Sequence, residues 1–355
     1  MLYLIPGLGN IAFKNLLDRM GSPEAILKAS LDELKDVEGV REEIALHIKQ
    51  QRTEIDPSAE LKKIKDMGVH IITYTDVDYP PLLRAIHDPP MLLYAKGLNI
   101  PTNHTFVSVV GSRNPTPYGL KTAEILSQGL ARRSLGVVSG MARGIDSKAH
   151  WGCLSGKGFT IAVLGTGIDR IYPASNEKLF REITQKGLVL SEFPLGTPPK
   201  PNHFPVRNRI ISGISKAVVV VEATKNSGSL ITAGQALEQG REVFAVPGSI
   251  HSFKSAGCHF LIKQGARLVE NADDILEELG LNYPFLQKTD SFFKDTISPV
   301  NEAEKIIYDL IGDYPIHIDQ IAHQGNLETH EVSSILTRME LKGMIRQLPG
   351  KMFVR

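Results

Sequence analysis

The sequence is short of cysteine, of net charge and of long apolar runs. Two cysteines, Cys153 and Cys258, are too few for a disulfide framework or a thiolate zinc site. The 40 basic and 39 acidic residues leave a formal charge of +1, which excludes a globally basic, histone-like binder but not a local basic patch. No apolar run reaches the roughly 18 residues of a membrane span, and the first residues lack a signal-peptide pattern. We therefore expect a reduced, cytoplasmic protein without a membrane partner.

The chain is long enough for two or three domains, with 355 residues of which 42% are hydrophobic. The pattern predicts an N-terminal helical domain over 1–60, an α/β domain over 61–280, a linker over 281–300 and a winged-helix domain over 301–355. The last segment shows three helical stretches and then two short strands that turn at Pro349-Gly350.

The middle segment alternates strand and helix patterns. Ala217–Val221 is apolar without alternation, as is typical of a strand buried on both faces of a parallel sheet. Helical stretches of about 10–15 residues separate the strands, so we predict right-handed βαβ units and a doubly wound, mostly parallel sheet. The predicted strands are Val69–Tyr74, Met91–Tyr94, Phe106–Val110, Gly136–Ser139, Thr160–Leu164, Leu188–Ser191, Ala217–Val221, Glu242–Val246 and Ala266–Val269.

Three of these strands end in turns rich in glycine and serine. In an open parallel sheet, ligands bind beyond the carboxyl ends of the strands. Glycines let backbone amides approach an anion, and helix N-termini add partial positive charge. The three turns therefore predict a phosphate-binding edge, although Gly and Ser can also serve only to make tight turns. The residues concerned are Ser112 and Arg113 in the first turn, Gly140 and Arg143 in the second, and Lys225, Ser227, Gly228 and Ser229 in the third.

Known fingerprints of phosphate-binding and catalytic sites are incomplete in this chain. Gly165-Thr-Gly167 follows a strand but lacks the third glycine of a dinucleotide-binding turn. Gly152 to Lys157 is one residue too short for a P-loop, and Gly158 replaces its Ser or Thr. No metalloprotease pair, nucleophile elbow or clustered carboxylates occur. We therefore predict no cofactor, no metal and no catalytic residue.

The segment from Pro198 to Ile211 combines basic residues with one aromatic side chain, Phe204. Residues 196–229 carry five basic residues and one acidic residue in an otherwise neutral chain. Basic groups beside an aromatic ring are typical of single-stranded nucleic-acid binding. Alternatively, the arginines pair with neighbours and Phe204 belongs to the core. The candidate ligands here are Lys200, Phe204, Arg207, Asn208 and Arg209.

Six motifs occur in a fixed order along the middle of the chain: Gly111-Ser-Arg113; Ser139-Gly-Met-Ala-Arg-Gly-Ile-Asp146 with Ala149-His150; Gly165-Thr-Gly-Ile-Asp169 with Tyr172-Pro173; Ser191-Glu-Phe-Pro194; His203-Phe204 with Arg207-Asn-Arg209; and Ser227-Gly-Ser-Leu-Ile-Thr-Ala233. Together they closely resemble the DNA-processing protein A family (DprA, also called Smf) over roughly residues 60–280. The resemblance implies an extended Rossmann-like domain that binds single-stranded DNA, forms a homodimer and loads the recombinase RecA during natural transformation. For self-association, it points to helices late in the sheet domain, with Leu237, Phe260 and Leu261 as candidates.

The flanking segments fit this resemblance unevenly. Ile5-Pro-Gly-Leu-Gly9 resembles the hairpin of a helix-hairpin-helix motif, so we expect a small helical domain of that kind or of the SAM kind. Residues 1–56 carry seven basic and ten acidic residues, which favours a structural or accessory role. The winged segment carries six basic and eight acidic residues, so partner contact is at least as well supported as groove binding.

Two other functions compete with DNA binding. An enzyme that cleaves nucleoside monophosphates would use a Pro-Gly-Gly-x-Gly-Thr-x-x-Glu loop, whereas this chain has Asn226-Ser-Gly-Ser-Leu-Ile-Thr232 without that glutamate. A regulatory nucleotide sensor with a winged-helix output is the third hypothesis.

Overall fold

The computed structural model describes residues 1–51, 56–101, 104–281, 302–312, 314–341 and 344–355. The chain divides into two compact units. The first comprises Met1–Asn114 and Thr122–Gly280, and the second comprises Pro115–Lys121 and Leu281–Arg355. The predicted linker over 281–300 lies outside the described residues except for Leu281.

The strands of the first unit run β1 (His70–Thr73), β2 (Leu92–Gly97), β3 (Phe106–Val110), β4 (Gly136–Ser139), β5 (Thr160–Leu164), β6 (Leu188–Ser191), β7 (Ala217–Val220), β8 (Glu242–Ala245) and β9 (Arg267–Leu268). Its helices are α1 (Asn10–Met20), α2 (Pro23–Lys28), α3 (Leu31–Lys35), α4 (Glu42–Lys49), α5 (Pro57–Asp66), α6 (Pro81–Arg84), α7 (Pro117–Arg132, which begins in the second unit), α8 (Ile145–Ser155), α9 (Glu177–Lys186), α10 (His203–Ile214), α11 (Gly228–Glu238), α12 (Ala256–Lys263) and α13 (Ala272–Glu278).

The nine strands form one sheet in the order β1-β2-β6-β5-β4-β3-β7-β8-β9. Seven of them are parallel, from β6 to β9, and only β1 and β2 are antiparallel additions at one edge. This confirms the predicted doubly wound, mostly parallel sheet. On one side of β3, the strands β4, β5 and β6 follow in sequence order. On its other side lie β7, β8 and β9, also in sequence order. The point where the strand order reverses therefore lies between β3 and β7, the usual ligand crevice of such sheets.

The central strands are buried on both faces, as their continuous apolar sequences predict. Every residue of β3, β5 and β7 is buried, and Val218 and Val220 pack in the main core with Val110 and Val163.

The N-terminal helices α1 to α4 enclose a smaller core of their own, around Leu16, Ile26, Leu34 and Ile48. Met91, at the start of β2, packs into this core, and Asn10 donates a hydrogen bond to the Glu192 carboxylate at 2.7 Å. The predicted hairpin has Gly7 in the left-handed region at φ +82°, which a side chain would strain. The N-terminal helices are thus tied to the sheet by apolar and polar contacts.

The second unit is a winged helix. Ile307, Ile335, Met339 and Phe353 form its core, and Phe353 pairs with both Ile316 and Gln347. The predicted wing is confirmed, with a third short strand that the sequence pattern did not show. The elements are α14 (Glu302–Leu310), β10 (Ile316–His317), α15 (Ile318–Gly325), α16 (Thr329–Leu341), β11 (Arg346–Leu348) and β12 (Met352–Val354), with sheet order β10-β12-β11. Within the described parts of both units, every helix is too short or too polar to span a bilayer.

Candidate nucleic-acid interface

A cavity of about 770 Å³ opens beyond the carboxyl ends of β3 and β7, at the reversal point of the strand order. The turns after these strands form two of its walls, and the first half of α10 forms a third. Eight of the residues predicted from the sequence line it together: Ser112, Arg113, Phe204, Arg207, Asn208, Ser227, Gly228 and Ser229.

The turn after β3 brings an unshielded positive charge to this cavity. The Ser112 amide donates to the Glu222 carbonyl at 2.7 Å, and the Ser112 hydroxyl accepts from the Asn114 amide at 3.1 Å, so the turn is fixed. Arg113 between them is exposed. No carboxylate of the residues that the structure describes lies within 4 Å of its guanidinium, which leaves the charge for a bound anion.

The Phe204 ring lies directly beneath that charge. The Arg113 guanidinium carbon is 4.9 Å from the centroid of the Phe204 ring, and the centroids of the Phe204 and Tyr172 rings are 5.8 Å apart. A Cβ at Gly165 would come within 2.9 Å of the Phe204 ring, so the glycine allows the ring to lie against the backbone. Phe204 is half-buried and lines the cavity, and the ring with the guanidinium over it forms the pairing of aromatic ring and cation that is typical of single-stranded nucleic-acid sites.

Arg207 is buried beside the cavity and is held by backbone carbonyls. Its Nη1 donates to the Gly140 oxygen at 2.7 Å and to the Val163 oxygen, and its Nε donates to Asn208 Oδ1 at 3.1 Å. A Cβ at Gly140 would lie 2.3 Å from this guanidinium, which explains the glycine there. The predicted Gly140 therefore supports Arg207 rather than lining the cavity itself.

Arg207 and Asp146 place opposite charges in the same wall of the cavity. Burial lowers the pKa of Arg207 to about 10, so the side chain still carries its charge at neutral pH. Burial raises the pKa of Asp146, and the neighbouring Arg207 and the Ala142 amide oppose that rise. Asp146 thus offsets part of the charge of Arg207 and, more weakly, of Arg113, which has no carboxylate within 4 Å among the described residues.

The turn after β7 presents the N-terminus of α11. Ser227 caps this eleven-residue helix by accepting from the Ser229 amide at 3.4 Å, and the first turn contains no acidic residue. Free amides and the helix dipole favour an anion at such a position. Both the α11 N-terminus and Arg113 therefore give one cavity a positive potential that favours an anion.

Three predicted cations, Arg143, Lys200 and Lys225, lie beside the cavity instead of in it. All three are exposed on the loops that supply cavity residues. They suit contacts with a backbone that leaves the cavity, and such contacts stay a prediction.

Arg209, predicted as a ligand of the nucleic acid, lies outside the cavity. It is buried, its Nε pairs with Asp88 at 3.1 Å, and its Nη2 pairs with Glu192. Two residues along a helix turn the side chain by about 200°, so Arg207 and Arg209 point to opposite sides of α10. Arg209 does not line the cavity, and its charge is neutralised inside the fold. For this residue, the alternative interpretation of paired arginines is the correct one.

The three residues predicted for self-association differ in their exposure to solvent. Leu237 and Phe260 are 60% and 51% exposed, whereas Leu261 is 7% exposed and packs in the main core. Leu261 is therefore a core residue and not a surface contact.

Sequence reasoning did not single out the other twelve lining residues, and Tyr172 and Thr232 are among them. Tyr172 could have been found, because it follows the carboxyl end of β5 in the motif with Gly165 and Pro173. Among the residues that the structure describes, no three His, Cys, Asp or Glu side chains come together as a metal site.

Comparison with known proteins identifies the family of this chain. Residues 70–280 match the family model described as DNA recombination-mediator protein A, and residues 294–351 match the DprA winged helix domain. Protein Smf of Synechocystis sp. is 35% identical over an alignment that covers 99% of this chain and 96% of that protein.

Two solved structures are also similar. DNA processing protein A from Streptococcus pneumoniae superposes with a TM-score of 0.70 at 39% identity, covering 80% of this chain and 96% of that chain. The Helicobacter pylori protein, described for its single-stranded DNA binding mode, gives a TM-score of 0.54 at 29% identity over 61% of this chain and 97% of that chain. The chain therefore belongs to the DNA recombination-mediator protein A family, the family of the DprA and Smf proteins.

Proposed function

We propose that the protein binds single-stranded DNA in the cavity between β3, β7 and α10, without a sequence preference. The observation that carries this proposal is the stack of Arg113 on Phe204, a cation without a carboxylate partner among the described residues, 4.9 Å above an aromatic ring inside a cavity of about 770 Å³. The H. pylori relative, described as binding single-stranded DNA, supports the same ligand.

Each part of the cavity has a separate task in this proposal. Arg113 and the amides at the N-terminus of α11 attract phosphates, which supplies most of the affinity and makes it depend on salt. Phe204 and Tyr172 offer aromatic faces to a base, which any base can use. The bases of double-stranded DNA are paired inside the helix and cannot reach these rings, so the cavity favours single strands.

The proposal extends to the biological role. Family membership supports a protein that protects incoming DNA and loads the recombinase RecA during transformation, and it supports action without catalysis. Leu237 and Phe260, both exposed near the later strands, suit a homodimer contact.

The test compares single- and double-stranded oligonucleotides of the same sequence by fluorescence anisotropy at two salt concentrations. We expect tighter binding of the single strand and a steep loss of affinity with salt. Equal or weaker binding of the single strand would overturn the proposal.

A second arm of this test addresses the competing functions. A nucleotide sensor would be stabilised against thermal unfolding by mononucleotides, and a hydrolase would release free base from a nucleoside monophosphate. We expect neither effect, because Asp146, the one carboxylate among the described residues that line the cavity, is hydrogen-bonded to a backbone amide. Either effect at micromolar nucleotide would replace DNA binding as the primary function.

A further inference from the structure

The loop between β8 and α12 presents two large apolar side chains to solvent. Ile250 is 83% exposed and Phe253 is 72% exposed. Neither belongs to an apolar cluster of the described residues, so the fold does not need the Phe253 ring where it is.

The loop is held in a defined shape. The Ser252 amide donates to the Ser249 carbonyl, and the Ser255 amide donates to the Ser252 carbonyl, each at 3.0 Å. The His259 ring contacts the Gly248 carbonyl at 3.0 Å through Nε2. The Gly257 amide donates at 2.7 Å to the carbonyl of Ala223, which lies three residues beyond the end of β7. Phe253 is thus fixed at an exposed position by bonds on both sides of it.

The same loop is tied to the rim of the cavity. Lys254 Nζ donates to the carbonyl oxygen of Asn114 at 2.7 Å. Asn114 lines the cavity and directly follows Arg113, which stacks on Phe204. The hydrogen bond therefore joins Asn114 to Lys254, the residue that directly follows Phe253. Lys254 Nζ also lies 6.0 Å from the centroid of the Phe253 ring, which places a positive charge between that ring and the cavity.

We propose that Phe253 is a second base-stacking site, which takes the base of a nucleotide outside the cavity on the strand held by Arg113 and Phe204. This inference rests on the proposed function, and it goes beyond the cavity. The aromatic face, the adjacent lysine and the bond to the cavity rim together repeat the combination of ring and cation that Phe204 and Arg113 make. An apolar protein partner would have no need of the lysine, and the site faces the carboxyl edge of the sheet.

The self-association candidate Leu237 belongs to a different end of the sheet. α11 starts at the carboxyl edge with Gly228 and runs back along β7, so Leu237 near its end lies towards the amino edge. Phe253 follows β8 and lies at the carboxyl edge, the edge of the cavity. Leu237 is therefore remote from the Phe253 site, whereas Phe260 lies on α12 directly after this loop. The lysine beside the Phe253 ring and its bond to the cavity rim favour nucleic acid, and the oligomeric state is measured below to test a second copy of the chain.

The experiment compares the full-length protein with Phe253→Ala, Phe253→Tyr and Ile250→Ala. Ile250 is the matched control, because it is equally apolar and more exposed on the same loop. The ligand is an oligothymidylate of about 20 nucleotides, longer than a single-fold site. We expect Phe253→Ala to weaken binding by about tenfold, Phe253→Tyr to restore it, and Ile250→Ala to change it by less than about twofold.

A strand of the same length made of abasic nucleotides separates stacking from an indirect effect. It keeps the phosphates and lacks the bases, so the wild type and Phe253→Ala should bind it equally. If Phe253→Ala matches the wild type on oligothymidylate while binding still depends on Arg113, only this inference fails. A loss of similar size on the abasic strand, or a change of oligomeric state in Phe253→Ala by size-exclusion chromatography, would also overturn it. If the wild type does not bind oligothymidylate, the proposed function itself fails.

Discussion

Arg113 and Arg209 lie on opposite sides of α10 in opposite electrostatic environments. On the cavity side, Arg113 from the β3 turn lies over Phe204 with no carboxylate of the described chain within 4 Å. On the other side, Arg209 forms a buried polar cluster with Asn10, Asp88 and Glu192, which we call the Arg209 cluster. Both arginines belong to motifs by which the sequence resembles the family, so motif membership does not separate them. The neighbouring carboxylates separate them, because a cation neutralised by buried carboxylates stabilises the fold, whereas a cation without such a partner is available to a ligand.

The largest effect should come from Arg209→Ala, and it should be an effect on stability. The change leaves the Glu192 carboxylate buried without its main partner, and removing one partner of a buried pair costs about 3–5 kcal/mol. Urea unfolding measures this loss. The control is Arg19→Ala, which breaks an exposed pair with Asp36 and should cost at most about 1 kcal/mol. Equal losses in the two variants would contradict the assignment of Arg209 to the fold.

The stability loss in Arg209→Ala should also depend on pH. Burial already raises the pKa of Glu192, and Arg209 opposes that rise, so the variant raises it further. At pH values below the unfolded pKa the carboxyl is neutral in both states and the loss is small. The loss grows as pH rises from the folded pKa of Glu192 in the wild type to its higher folded pKa in the variant, and above that value it is constant. Unfolding curves from pH 4 to pH 8 measure this, and a loss that shrinks with rising pH would contradict it.

Arg113→Ala tests the cavity side of the comparison. A charge-assisted contact contributes about 1.5–3 kcal/mol, so affinity for single strands should fall by about tenfold or more. The slope of log affinity against log salt should become shallower by about 0.7 for one lost phosphate contact. Because Arg113 is exposed and contacts the Phe204 ring without a carboxylate partner in the described part of the chain, the free energy of unfolding should fall by at most about 1 kcal/mol. Arg181→Ala, an exposed arginine on α9, is the control for affinity. Unchanged binding by Arg113→Ala would reject Arg113 as a phosphate ligand.

Phe204→Ala should have a slightly smaller effect, with a different signature. Loss of one base stack weakens binding by about 1–3 kcal/mol, without the change in salt slope that Arg113→Ala produces. Phe204→Tyr keeps the ring and should retain binding. If Phe204→Ala binds as tightly as the wild type, the ring serves only to pack against Gly165.

The smallest effect should come from removing residues 285–355. The winged segment carries more acidic than basic residues, so its loss should change single-strand affinity by less than about twofold. Anisotropy measurements on the truncated and full-length proteins make the comparison. A large loss would move the main binding surface from the sheet unit to the winged helix.

The fold was largely predictable, because it follows from local patterns. Buried parallel strands give continuous apolar runs such as Ala217–Val220, and the wing follows from two short strands around Pro349-Gly350. The order of strands was not predictable, since it depends on pairings such as β3 with β7 that join residues about 110 positions apart, as Val107 with Ala217 shows.

The site was predictable in its location but not in every residue. Glycine and serine after β3 and β7 indicated the edge, because parallel strands bring their carboxyl ends together. The role of Arg209 depends on Asp88 and Glu192, which come from a loop and a strand end elsewhere in the chain. The burial of Leu261 was not predictable for the same reason. A leucine on an amphipathic helix faces the core or the solvent according to the elements that pack beside the helix.

Hydrogen–deuterium exchange with and without a saturating oligothymidylate tests the central claim most directly, because it locates the bound strand. The cavity predicts slower exchange in residues 111–114, 140–146, 198–209 and 225–229, and no change in 10–49 or 314–341. Slower exchange confined to the winged helix or to the N-terminal helices would contradict it.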